Sequence, residues 1–92
     1  MSGKFSIMTT INLDKLDNEI EEYIRRTGNH EPYIFMNEDT INAIANEFET
    51  EFGIPVTDTY SNVRLKDGVK ATYTGYRVFV NNDLKFGVVE IR

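Results

Sequence analysis

Apolar residues at Leu13, Leu16, Ile20, Tyr23 and Ile24 recur three or four positions apart, a spacing that predicts an amphipathic helix with one buried stripe. Its ends are marked. Asn12 is the predicted N-cap, Asp14 and Asp17 suit the positive N-terminal end of the helix dipole, Arg25 and Arg26 suit the C-terminal end, and Gly28 supplies the stop. Glu21 with Arg25 and Glu22 with Arg26 stand four residues apart in the favourable orientation, as on a solvated face.

After Gly28-Asn29-His30, the short apolar run Pro32-Tyr33-Ile34-Phe35-Met36 is too brief for a helix and predicts a buried central strand. Asn37 then caps a second helix whose apolar face is Ile41, Ile44, Ala45, Phe48 and Phe52, with Gly53 just past its end. Beyond an irregular connection at 54–62 the period changes to two. Val63–Lys66 and Val69–Tyr73 flank Asp67-Gly68, the sequence of a two-residue hairpin turn. Gly75 opens a strand at Tyr76–Val80, which turns at Asn81-Asn82-Asp83 and returns as Phe86–Ile91.

This order predicts an α+β fold: a single small domain over 13–92, with a mixed or antiparallel sheet and two amphipathic helices packed on one face. Residues 1–12 are expected to form an N-terminal arm or an edge strand. A length of 92 residues leaves no room for a second core, and 40% hydrophobic with 27% charged residues is a globular balance. The chain has no cysteine, so disulfides, thiolate metal sites and cysteine nucleophiles are excluded. No apolar run approaches the roughly 20 residues of a membrane helix, and the N-terminus lacks the regions of a signal peptide.

The net charge of -5 argues against direct nucleic-acid binding. That charge is concentrated. Glu38–Phe52 carries five carboxylates and no basic residue, while residues 53–92 are mildly basic. Glu47 and Glu51, four residues apart, repel on an isolated helix. Either Arg64, Lys66 or Lys70 relieves them on a solvated face, or Glu47, Glu49 and Glu51 form an acidic stripe that meets a basic partner protein.

Catalytic patterns are absent from the sequence: it contains no HExxH, no glycine-rich phosphate loop, no GxSxG and no Walker lysine. His30, the sole histidine, reads as a solvated loop residue, and Asn81-Asn82-Asp83 as a tight turn in place of a cation loop. The expectation is a non-enzyme with no cofactor and no metal. Tyr60, Tyr73 and Tyr76 flank the 54–62 connection and the entry at Gly75. They are either interface anchors or core-edge residues with their hydroxyls in water.

The stretch Glu31-Pro32-Tyr33-Ile34-Phe35-Met36-Asn37-Glu38-Asp39-Thr40 running into the second helix, with Gly75-Tyr76-Arg77-Val78-Phe79-Val80 and a closing strand, resembles small proteins of tailed phages and prophages. More distantly, residues 13–92 are similar to the helix, strand, helix and strand section of tailed-phage major capsid proteins. Whole capsid subunits are several times longer, so the resemblance implies a compact noncatalytic phage product of capsid-like topology, not a complete shell protein. It implies a structural or assembly protein of the virion or host cytoplasm, neither secreted nor membrane-bound, that binds itself or a phage component. The alternative is an acidic inhibitor that presents Glu47, Glu49 and Glu51 to a basic host protein, with Tyr60 and Tyr73 as further contacts.

Overall fold

In the computed structural model, which describes residues 3–52 and 71–92, Asn12, Gly28 and Asn37 cap the helices where the sequence places them, and the expected stop at Gly53 lies outside the described residues. Helix α1 spans Leu13–Thr27: Asn12 Oδ1 accepts from the Lys15 amide at 3.0 Å, and Gly28, left-handed at φ 75°, donates its N–H to the Ile24 carbonyl. Helix α2 spans Glu38–Phe52, and Asn37 Oδ1 accepts from both the amide (2.7 Å) and the hydroxyl (2.6 Å) of Thr40. These bonds satisfy amide donors that a helix start leaves without partners.

The described residues also form five strands: β1 Lys4–Ile7, β2 Ile34–Met36, β3 Ala71–Tyr73, β4 Tyr76–Val80 and β5 Val88–Ile91. They form one mixed sheet in the order β1-β5-β2-β4-β3, in which β2 is central and runs parallel to β4 while every other pairing is antiparallel. Lys4–Ile7 is thus an edge strand, and Met8 just beyond it is buried in the core. The proposed hairpin around Asp67-Gly68 lies outside the described residues, apart from Ala71–Tyr73. The hairpin that is described turns at Thr74-Gly75. Both residues have positive φ (46° and 92°), as a type I′ turn requires, and Tyr73 faces Tyr76 across it.

The last strand departs from expectation. It begins at Val88 and not Phe86, and it does not return beside β4; β2 lies between them. Residues 81–87 make that crossing possible by bonding to the start of α2. Asn82 Oδ1 accepts from the Glu38 amide (3.0 Å), Asn37 Nδ2 donates to the Leu84 carbonyl (3.2 Å), and the Gly87 amide donates to buried Thr40 Oγ1 (3.0 Å). Gly87 also accepts from the Met8 amide, and at φ 83° a Cβ there would collide with the Met8 carbonyl oxygen.

Successive strand residues point to opposite sides. The register puts Ile34, Val78 and Ile91 in one row, with Met36, Val89 and Tyr73 on the same side, and all six are buried. They share one core with Leu13, Leu16, Ile20 and Tyr23 of α1 and Ile41, Ile44, Ala45 and Phe48 of α2. Among the described residues, no helix is long and apolar enough to cross a membrane.

Candidate functional site

The opposite side of the sheet is organised by the same register. Phe5 pairs with Glu90, Glu90 with Phe35, and Phe35 with Phe79, so one row crosses β1, β5, β2 and β4. Phe35 and Phe79 stack at 5.3 Å, and Tyr33 meets Phe79 edge-on at 5.4 Å. Arg92 lies with its guanidinium 4.1 Å over the Phe35 ring while its Nε bonds Glu90 Oε2 at 3.1 Å. Tyr33 and Arg92 exchange backbone hydrogen bonds, which extends the β2–β5 ladder and sets both residues on this side.

Much of this apolar surface meets solvent: Phe5 is 57%, Ile7 63% and Tyr33 47% exposed, and Phe35 and Phe79 are half-buried. The run Pro32–Met36 is therefore central, as its composition predicts, but buried on one side only. Ile34 and Met36 enter the core, whereas Tyr33 and Phe35 do not. A continuous apolar run hides this distinction, because both sides of such a strand read alike until register is known.

The sequence-predicted site residues that are described do not form one surface. Glu47 is half-buried, and Glu49 and Glu51 are exposed. Glu47 and Glu51 share a flank of α2, but Glu49 is two residues, or about 200°, around the helix from each. The three carboxylates are thus not a stripe. The described ion pairs are Lys4 with Glu19 (3.0 Å), Lys4 with Glu22 (2.6 Å) and Arg92 with Glu90; among the described residues none involves these three glutamates. Tyr60, Arg64, Lys66 and Lys70 lie outside the described residues.

Tyr73 belongs to the core. It is 1% exposed, its ring meets Phe48 edge-on, and its hydroxyl donates to Asp17 Oδ1 at 2.7 Å instead of to water. Burial, then the Asp17 carboxylate, pushes the phenol far above its ordinary pKa. Asp17 is also raised, chiefly by lost hydration, with the Tyr73 hydrogen bond opposing that rise. At the sheet edge, Glu22 and Lys4 each favour the other's charged form: the carboxyl is lowered and the ammonium raised.

His30 is exposed and, with Tyr33, Tyr76 and Arg77, borders an open cleft of about 330 Å³ at the end of the aromatic face. Among the described residues, no three His, Cys, Asp or Glu are placed to hold a metal ion. No family model, curated protein or solved structure matches the chain.

Proposed function

We propose that this protein is a non-enzymatic interaction protein, of the structural or assembly kind that the tailed-phage resemblance implies, and that its protein partner docks on the Phe5–Glu90–Phe35–Phe79 face. The observation that carries this reading is the solvent-facing aromatic row with Arg92 already fixed over Phe35 and tied to Glu90. Tyr, Phe and Arg are the residues in which interface binding energy concentrates, and groups ordered beforehand lose less entropy on docking. Isolated exposed apolar residues need no explanation, but a contiguous set on one sheet face marks an interaction site.

Its test sets the two surfaces against each other. Immobilised wild type, a Phe5→Asp/Ile7→Asp variant and a Glu47→Gln/Glu49→Gln/Glu51→Gln variant are each offered the soluble protein itself and the proteins of a phage lysate and a host extract. Capture lost only in the sheet-face variant supports the reading. Capture lost only in the triple variant, and weakened by salt in the wild type, replaces it with the acidic inhibitor of a basic host protein.

A further inference from the structure

We infer that the aromatic face is a self-complementary surface, and that its occupant is a second copy of this chain packed face to face about a two-fold axis. The inference rests on the docking face proposed above and names its partner.

Charge distribution selects this occupant. Helices α1 and α2 together hold ten of the fifteen carboxylates and only three basic residues, Lys15, Arg25 and Arg26. Two copies that met through their helices would bring like charge to like charge. Among the described residues, the aromatic face carries Glu90 beside Arg92, with Arg77 on the same side of β4 and Glu31 in the cleft at its end, so the two signs are balanced there. Compared with the two helices, it is a surface on which another copy of this acidic chain meets balanced charge.

The pattern is also its own complement. A two-fold axis apposes one patch to the same patch, so residue i meets j while j meets i. Across such an axis the exposed Phe5, Ile7 and Tyr33 supply apolar area to one another, and each Glu90 can meet the partner copy's guanidinium as well as its own. A strongly acidic or strongly basic partner would leave one member of the Glu90–Arg92 pair opposed by like charge. The five described strands, spaced about 4.8 Å, make a face about 20 Å wide, at the small end of specific interfaces. The dimer is therefore expected to be reversible and concentration-dependent.

The test is sedimentation velocity with light scattering over a wide range of protein concentration. Wild type should pass reversibly from monomer to dimer. Phe5→Asp/Ile7→Asp alters two exposed side chains of the edge strand, so its thermal midpoint should fall only slightly, through the carboxylate set opposite Glu90, while its dimer dissociation constant rises about tenfold or more. Arg92→Glu and Glu90→Lys should each be monomeric alone, because each makes positions 90 and 92 alike in charge, and an equimolar mixture of the two should associate.

A wild type that stays monomeric at every concentration, or a dimer unchanged in Phe5→Asp/Ile7→Asp, overturns the inference. So does a dimer that persists unchanged while a single-stranded oligonucleotide occupies Phe35 and Phe79, since exposed sheet aromatics also stack bases. If the wild type is monomeric but the sheet-face variant loses capture of a phage protein, the second-copy inference falls and the docking face stands. If that variant captures as wild type does, both fall.

Discussion

Ile34 and Phe35 are neighbours in the central strand, and they divide the molecule between them. Ile34 is fully buried in a core shared with both helices, whereas Phe35 is half-buried, with Phe79 stacked beside it and Arg92 over its ring. The two sides of one sheet therefore differ in what their apolar groups do. On the core side, burial removes apolar area from water at about 25 cal/mol per Å² and stabilises the fold. On the other side comparable groups remain partly hydrated, and their free energy of burial is still available to a partner.

The sharpest test of that division is the adjacent pair. Ile34→Ala should destabilise by about 2–5 kcal/mol in urea unfolding, through lost transfer energy and the cavity left behind. Phe35→Ala, the larger truncation, should cost only about 1 kcal/mol, because it removes one stack and one cation–π contact at a partly solvated site. Equal losses would break the comparison.

Next is Gly87, where β5 reaches the end of β1. Gly87→Ala places a Cβ against the Met8 carbonyl at φ 83° and should cost about 1–3 kcal/mol in thermal or urea unfolding. Earlier loss of hydrogen-exchange protection in β1 than in β2 would show that the damage starts at the edge.

Tyr73→Phe should cost about 1 kcal/mol at neutral pH, because Asp17 loses its donor at the rim of the core. The sign with pH follows from Asp17. Its folded pKa is raised above its ordinary 3.8, so its contribution favours the fold when protonated and fades as pH rises through the folded value. Without the phenol the folded pKa rises further. The gap between wild type and variant should therefore widen from acid to neutral pH, as urea unfolding at several pH values would reveal.

The smallest effect belongs to Lys4→Gln, which removes two ion pairs from the edge strand to α1. It should lower the thermal midpoint slightly at low salt and hardly at all at high salt, because surface pairs are weak and screened.

Much of this architecture is legible in the chain. Asn12, Gly28 and Asn37 mark helix ends through local hydrogen bonding and permitted φ, and the stripes from Leu13 and Ile41 mark buried faces through a period intrinsic to the helix. Tyr76–Val80 stands as a strand with the bounds its alternation gives. The Thr74-Gly75 hairpin is not legible in the sequence, because Thr is not a residue that announces positive φ. The candidate site was less legible still. Glu47, Glu49 and Glu51 are close in sequence but spread around a helix, while Phe5, Phe35, Glu90 and Phe79 come from four strands.

What the sequence by itself determined is therefore local: where helices begin and end, which of their positions are apolar, and that a central strand follows the first helix. These depend on interactions within a few residues. Only the tertiary structure decided that β5 crosses past β2 to meet β1, that Tyr73 spends its hydroxyl on Asp17, and that the aromatics of alternate strand positions gather on one solvent-facing side. Those outcomes depend on strand order and register, and a shift of one residue in register would turn the same side chains to the opposite face.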